Sequence, residues 1–484
     1  MNALALALLI GTGCGKDAAD DGAFSVLEHF DTRGGEYTWA GYGFTTMLLG
    51  EAFGLVTPDN ERPRFQVLAP SEAGDAPRPV LLFLHGGSSD DDSVTPGGEQ
   101  GFCGVGYASE AVTGQLRNSA LAHHAAELGW IIVAPENAFC DGWAGLGDED
   151  PADGSHGGYR LAEIALQWAL DGDAGPVDLA RVHVVGSSMG AMGAAFFVNN
   201  WEGPVRSAGF SHGSINSTRL YYEDDYNPAP LSEWVGRLSH NLGGAPFEDG
   251  PDSSQTGWYP RYRDTSLELS VIEGTLELPL FHLWSDRDPV SIAAAHRDML
   301  AAFEQAHQPS GLPWGDYNSG VEGHSVVHNL DYPYATLAMV RFLDGLSVTV
   351  LEGEDGDGDV GVPLTDEDAL PTASGNGARI SDRAGVLYRQ PVAATPGQEL
   401  RATFFLIGDD SVTATLRVLA GDGTVLARAS VSGDALDRGD RDYPALREVM
   451  GRTTLAATSD EAEVWLEVEG DGQGALALDV VIVD

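Results

Sequence analysis

Basic side chains are scarce in this chain of 484 residues, and Lys16 is its only lysine. Lysine and arginine together number 26 against 73 aspartates and glutamates, which gives a formal net charge of −47 at pH 7. Such a surface repels phosphate and anionic lipid head groups, so we expect no nucleic-acid partner and no binding to an anionic membrane surface. Self-repulsion that keeps the protein soluble explains the composition, and adaptation to salt is a second hypothesis.

Long apolar runs are missing as well. The run at residues 3–10 is too short to span a bilayer as a helix, and Cys14 follows it among glycines. This segment resembles a bacterial lipobox in which Cys14 carries the lipid, although Gly11 stands where leucine is usual. Residues 1–20 are therefore predicted to be a lipoprotein-type signal and tether. We expect an extracytoplasmic protein, anchored to the bacterial cell envelope by lipid alone or secreted.

Cysteine is rare, with three residues in the whole chain. If Cys14 is lipidated, Cys103 and Cys140 remain as a pair on loops after successive strand-like runs. Outside the cytoplasm this pair is predicted to form a disulfide, and two unpaired buried thiols are the alternative.

The most informative motif present is G-x-S-x-G at residues 186–190. A strand-like run at 181–185 precedes it, and a run of small and apolar residues at 191–198 follows. A strand, a sharp turn and a helix in that order predict a nucleophile elbow, which lifts the serine above the edge of the sheet. Ser188 is therefore the predicted nucleophile, and the backbone N–H of Met189 is a predicted oxyanion donor.

A second oxyanion donor is predicted from the sequence His-Gly-Gly, which follows the apolar run at 79–84. Glycine lets the backbone approach the substrate closely, so Gly87 is the predicted donor and Gly86 the alternative. His85 is predicted to brace this loop and not to take part in catalysis.

An acid and a histidine follow in the chain order of an α/β-hydrolase. The strand-like run at 278–284 leads into a turn with two aspartates, and the turn pattern favours Asp288 over Asp286 as the acid. Both aspartates would otherwise cap the next helix. His324 follows a glycine before the last predicted helix and is the predicted general base, with His328 as its rival.

Two stretches carry a family resemblance. Residues 178–191 resemble the V-D-x-x-R-V-Y-V-x-G-x-S-x-G-G segment of the polyhydroxybutyrate depolymerase and feruloyl esterase family, and residues 135–143 are similar to its proline and cysteine-tryptophan segment. The likeness extends roughly over residues 64–346. It implies an α/β-hydrolase fold, secretion, the triad named above, and neither a metal nor a cofactor. Ala191 replaces a glycine of the family pattern, and this departure bears on the substrate.

After residues 1–20, three regions divide the chain. Residues 21–348 alternate strand and helix signals, which predicts an α/β catalytic domain with a mostly parallel sheet. The insertion at about 214–277 is rich in tyrosine and tryptophan and is predicted to roof the substrate site or to form a small core of its own. Residues 349–372 are acidic, and their alternating aspartates resemble a calcium-binding EF-hand loop, but the glycine and the closing glutamate of that pattern are missing. The stretch is therefore predicted to be a solvated linker. Residues 373–484 alternate with period two and predict a jelly-roll-like all-β sandwich.

The motifs together predict an exported serine carboxylic ester hydrolase that needs neither metal nor cofactor. Its predicted substrates are feruloyl or acetyl esters on polysaccharide, or short-chain polyesters. Trp465 shares one strand face with glutamates, so carbohydrate binding by the sandwich is expected, with a spacer role as the alternative. The other predictions kept open are a serine peptidase of the prolyl oligopeptidase type and a catalytically inactive surface-binding protein with a hydrolase fold.

Overall fold

The computed structural model describes a defined part of the chain: residues 24–31, 42–55, 62–72, 74–86, 120–137, 143–144, 157–213, 216–223, 238–239, 242–247, 258–286, 288, 293–318, 333–345, 347–353, 356–360, 362–364, 378–409, 411–432 and 451–484. The predictions for Cys14, Cys103, Cys140, Gly87, His324 and His328 fall outside these residues. Among the described helices, none has the length and apolar character needed to cross a membrane.

A nine-stranded sheet forms the centre of the first domain. Its strands are β1 (Phe24–Asp31), β2 (Tyr42–Leu49), β3 (Arg64–Pro70), β4 (Arg78–Leu84), β5 (Ile131–Pro135), β6 (Val177–Ser187), β7 (Ser207–Ser211), β8 (Leu280–Trp284) and β9 (Trp314–Asn318). The spatial order is β1-β2-β3-β5-β4-β6-β7-β8-β9. The first three strands pair antiparallel, and every pair from β5 to β9 is parallel. The prediction of a mostly parallel sheet is therefore confirmed.

Helices cover both faces of this sheet. They are α1 (Ala120–Glu127), α2 (Gly157–Leu170), α3 (Met189–Asn200), α4 (Ser217–Tyr222), α5 (Tyr259–Thr265), α6 (Leu267–Ile272), α7 (Ala293–Ala302) and α8 (Pro333–Gly345). Alternate residues of β4 enter different apolar clusters: Leu82 packs with α2 and α3, whereas Phe83 packs with α1 and α8. From Pro79 onward the strand is apolar because both of its faces are buried.

The aromatic side chains of the insertion pack mainly on one another. Tyr262 is fully buried, and its ring lies edge-on to that of Tyr221 at 5.6 Å. Tyr222 contacts Tyr221 at 4.9 Å, and Phe247 stacks on Tyr259 at 4.9 Å. Tyr262 also lies in the buried cluster that contains residues of α2 and α3, so the described rings extend the core of the first domain. The expectation that this segment roofs the substrate site stays a prediction.

Two antiparallel sheets form the C-terminal region, as the sequence predicted. The strands are β10 (Thr349–Glu352), β11 (Val362–Leu364), β12 (Ala378–Ser381), β13 (Ala384–Ala393), β14 (Glu399–Gly408), β15 (Thr413–Leu419), β16 (Val425–Ser432), β17 (Gly451–Thr458), β18 (Glu463–Asp471) and β19 (Leu476–Val483). One sheet runs β11-β12-β19-β14-β17 with β10 also paired to β19, and the other runs β13-β18-β15-β16. The sequence places β10 and β11 in the predicted linker at 349–372, but both strands pair within the first of these sheets.

The sandwich is docked on the first domain through apolar and charged side chains. Phe405, Ile407 and Ile482 belong to the same buried cluster as residues of α1 and α8. Asp484 accepts hydrogen bonds from Arg341 of α8 at 3.2 Å and from Arg401 of β14 at 2.7 Å. The two domains therefore share one buried apolar cluster.

A second charged contact joins the two domains at α1. Arg452 of β17 pairs with Glu127 and donates to Nδ1 of His124 at 3.0 Å. Glu127 and His124 lie one turn apart on α1, so a single guanidinium group spans both.

Candidate active site

Ser188 stands at a strained turn between β6 and α3. Its backbone has φ 54° and ψ −118°, and its N–H donates to the carbonyl oxygen of Ser211 at 2.8 Å. A positive φ is costly for any residue with a Cβ atom, and such strain is concentrated at functional sites. The strand, the sharp turn and the helix have the geometry of a nucleophile elbow.

The glycines of the motif are required by close backbone contacts. A Cβ atom built on Gly186 would lie 1.9 Å from the carbonyl oxygen of Gly190. A Cβ atom on Gly190 would lie 2.0 Å from the carbonyl oxygen of Leu84 and 2.5 Å from that of His85. The first turn of α3 therefore packs directly on the loop after β4, where the sequence predicts the second oxyanion donor.

Gly190→Ala is expected to lower the free energy of unfolding by at least about 3 kcal/mol, because backbone atoms must move to admit the methyl group. Gly345→Ala is the matched control, since among the described atoms outside its own stretch of helix none lies within 4 Å of a Cβ at that position. That control should change stability by less than about 1 kcal/mol. Urea unfolding of both variants measures the difference, and equal midpoints would contradict this account of the elbow.

Met189 begins α3, and its side chain is buried. The first amides of a helix lack intrahelical carbonyl partners, and the helix dipole favours negative charge at this end. The position therefore suits the role of oxyanion donor that the sequence predicts for Met189.

His85 is held by three hydrogen bonds on the loop after β4. Its Nδ1 lies 2.7 Å from the Gly86 oxygen, and its Nε2 accepts from the Asn137 backbone N–H at 3.0 Å. Its own carbonyl oxygen accepts from Nε1 of Trp143 at 3.0 Å. These contacts fit the prediction that His85 braces the loop. The bonds require a neutral ring protonated on Nδ1, because Nε2 serves as the acceptor.

Burial lowers the pKa of His85 from 6.5 to about 4, although the bond to the Gly86 oxygen raises it in part. The neutral form is thus favoured in the fold, so its stabilising contribution is complete above pH 6.5 and is lost as pH falls through 4. Between pH 7 and pH 4 the protein should lose on the order of 3 kcal/mol more unfolding free energy than His85→Gln.

Chemical denaturation at several pH values measures this difference. Burial also lowers the pKa of His183 and of His282 to about 3 each. Both histidines are present in the two proteins, so their titration cancels in the comparison. Identical pH dependence of the wild type and His85→Gln would contradict the bracing role of a neutral His85.

The two candidate acids differ in burial. Asp288 is 5% exposed and its N–H donates to the Ser285 oxygen at 3.3 Å, whereas Asp286 is exposed. The backbone N–H of Asp286 donates to Oδ1 of Asn318 at 3.1 Å. A triad acid is buried so that it can orient the histidine, and the burial favours Asp288 over Asp286.

The sheet order brings the ends of three strands to one edge. Ser188 follows β6 and Asp288 follows β8, with β7 between them. Neighbouring strands are about 4.8 Å apart, so these two strands are about 10 Å apart. β9 lies beside β8 and ends at Asn318, six residues before His324 in the sequence.

Two buried residues near the elbow were not predicted to have a role. His212 has φ 50° and is 1% exposed, and Trp143 has φ 72° and is 1% exposed. With Ser188 they are the non-glycine residues of positive φ among the described part of the chain. Nδ1 of His212 lies 2.8 Å from Oγ of Ser211, and a Cβ on Gly193 would lie 2.4 Å from Cβ of Trp143.

Neither residue carried a strong sequence signal. His212 is a lone histidine directly after β7, the strand that lies between β6, which precedes Ser188, and β8, which precedes Asp288. Its N–H donates to the Leu283 oxygen of β8 at 3.0 Å. Trp143 appeared only within the family resemblance at 135–143.

The described residues contain no group of three or more His, Cys, Asp or Glu side chains that could hold a metal ion.

The sequence matches no protein-family model, and no curated protein matches it. Solved structures similar to the chain include an S-formylglutathione hydrolase from Agrobacterium tumefaciens, with a TM-score of 0.42, 15% identity, and coverage of 66% of this chain and 98% of that protein. Esterase B from Lactobacillus rhamnosis has a TM-score of 0.39 and 14% identity, covering 58% of this chain and 80% of its own. A puromycin-hydrolyzing peptidase from Mycobacterium tuberculosis has a TM-score of 0.37 and 15% identity, covering 59% and 38%.

These TM-scores are low, so we assign the fold from the strand order and the elbow. The first domain has the α/β-hydrolase fold. The narrower resemblance to polyhydroxybutyrate depolymerases and feruloyl esterases stays a prediction, since no family model matches.

Proposed function

We propose that the protein is a serine hydrolase that cleaves carboxylic esters through Ser188, Asp288 and His324. One observation carries the proposal: Ser188 has a left-handed backbone at a turn that only glycine at 186 and 190 allows. Strain of this kind presents a serine oxygen above the sheet, which is what a nucleophile requires. The burial of Asp288 two strands away supplies further support.

The proposed mechanism has two half-reactions. His324 takes the proton of Ser188 while Oγ attacks the ester carbonyl carbon, and it then gives that proton to the departing alcohol. Water next attacks the acyl-enzyme by the reverse route and releases the acid. Asp288 fixes the tautomer of the histidine and stabilises its charged form.

The oxyanion of each tetrahedral intermediate would accept hydrogen bonds from the N–H groups of Met189 and Gly87. Such donors lower the barrier by on the order of 3 kcal/mol each. The hydrogen bonds of His85 and Trp143 support this proposal, because they fix the backbone immediately before Gly87.

The proposed substrates are feruloyl or acetyl esters on polysaccharide, or short-chain polyesters, and the proposed location is outside the cytoplasm with Cys14 as the lipid anchor. The family resemblance and the apolar run at 3–10 support these proposals. Carbohydrate binding by Trp465 has less support, because the guanidinium group of Arg389 lies over its ring at 5.0 Å and covers one face.

Labelling with a fluorophosphonate probe tests the proposed nucleophile. The probe should attach to the peptide that contains Ser188 and should abolish hydrolysis of p-nitrophenyl butyrate in proportion to the label. A panel of feruloyl esters, polyhydroxybutyrate and peptides then identifies the substrate class. Absence of label from the folded protein, or label on another serine, would overturn the proposal.

A further inference from the structure

A cavity of about 270 Å³ lies between α2, the start of β1 and the residue that follows α3. Four aromatic side chains line it: Phe24, Phe53, Trp168 and Trp201. The cavity is remote from the proposed catalytic centre, because the twelve residues of α3 separate Ser188 from Trp201, a length of about 18 Å.

The aromatic rings of the cavity are held in place by neighbouring rings. Trp168 lies edge-on to Phe65 at 5.3 Å and to Phe24 at 6.4 Å. Trp201 stacks on Phe197 at 5.5 Å, and both tryptophans are half-buried. Rigid rings of this kind present π-faces at a small cost in conformational entropy.

Three carboxylates and one guanidinium group line the cavity, and the pairing of that guanidinium group with Glu163 leaves the charges of Asp171 and Asp173. Arg160 and Glu163 neutralise each other through a contact of 2.7 Å. Asp171 accepts a hydrogen bond from the neutral amide of Gln167 at 2.8 Å. Partial burial and the nearby charge of Asp171 raise the pKa of Asp173.

Several ligand classes do not suit this lining. An anion would meet Asp171 and Asp173, and an alkyl chain would bury their charges without a partner. The described part of the chain has no group of three or more acidic, histidine or cysteine side chains placed to hold a metal ion. A cation with an apolar surface satisfies both the aromatic faces and the carboxylates.

We propose that this cavity binds a small organic cation with a quaternary ammonium group, which contacts the faces of Trp168 and Trp201 and is neutralised by Asp171 and Asp173. Cations of this type are held by aromatic cages, and the attraction is strongest toward tryptophan. The site goes beyond the proposed hydrolase function and does not depend on it.

Calorimetric titration of the full chain with choline tests the proposal. Choline should bind with one-to-one stoichiometry, and its neutral isostere 3,3-dimethylbutanol should bind at least about tenfold more weakly. Trp168→Leu and Asp173→Asn should each weaken choline binding by about tenfold. Asp173 lies on the surface, so its variant keeps the test valid if Trp168→Leu fails to fold.

Two matched variants separate the cavity from the general negative charge of the protein. Trp258→Leu removes a tryptophan that is exposed elsewhere, and Asp382→Asn removes an exposed carboxylate of the sandwich. Both should bind choline like the wild type. Absence of saturable heat with choline overturns the proposal, as does equal weakening in the control variants. Tighter binding of 3,3-dimethylbutanol or of a methyl glycoside also overturns it.

Discussion

Ser188→Ala is expected to lower kcat for p-nitrophenyl butyrate by about 10⁴-fold or more, with the fold preserved. The mutation removes the attacking oxygen and leaves the backbone strain in place, because alanine at φ 54° is strained as serine is. Thermal unfolding of the variant should therefore stay close to that of the wild type. Kinetics and melting curves on the same preparation measure both effects.

Ser188→Gly is the matched variant that distinguishes strain from chemistry. It lacks the nucleophile equally, but glycine tolerates a positive φ, so it should be about 1 kcal/mol more stable than Ser188→Ala. Two inactive proteins of unequal stability would fit a strained nucleophile elbow. Residual activity of either variant near the wild-type level would remove Ser188 from the mechanism.

Removal of residues 349–484 is expected to prevent the remaining chain from accumulating as a soluble monomer. The truncation strips Phe405, Ile407 and Ile482 from the cluster that they share with α8, and each such side chain contributes about 1.5–3 kcal/mol when buried. It also removes Asp484, the partner of Arg341. Size-exclusion chromatography of the truncated protein beside the full chain gives the answer.

A point substitution reports on the same interface without truncation. Ile482→Asp buries an unpaired charge between the domains and should cost at least about 3 kcal/mol, whereas Val425→Asp, on an exposed position of β16, should be nearly neutral. For the truncation of residues 349–484, a soluble monomer with wild-type kcat and melting temperature would contradict the prediction and show that the sandwich is an independent module.

The parts of the site that the sequence predicted are those with strong local causes. Gly186 is required by a contact with Gly190 within one turn, so the G-x-S-x-G pattern identified the elbow, although Gly190 itself is required by the loop after β4. His212 and Trp143 depend instead on strands brought together by the whole sheet, and no local pattern marks a residue that acquires a positive φ in that way. The sequence therefore predicted Ser188 and its flanking glycines, but not the buried residues His212 and Trp143 near them.

The sequence contains a signal for the docking of the sandwich on the first domain, although the acidic composition of residues 349–372 pointed to a linker instead. Residues 404–407 and 480–483 are unbroken apolar runs, in which Phe404 and Val481 face the sandwich core while Phe405 and Ile482 face α8. A strand that is apolar on both sides is buried on both sides, so a second partner surface was predictable. The acidic residues of 349–372 predicted a linker, because their charge outweighed the four residues that form β10.

The pairing of β19 has a consequence for biosynthesis. β19 pairs with β10, β12 and β14, so a strand that is made after all three of its partners occupies the middle of their sheet. Both the sandwich and the buried face of α8 must wait for the synthesis of β19 before they close. A chain cut short before β19, by premature termination or by a protease, would thus stay unfinished and become a substrate for degradation.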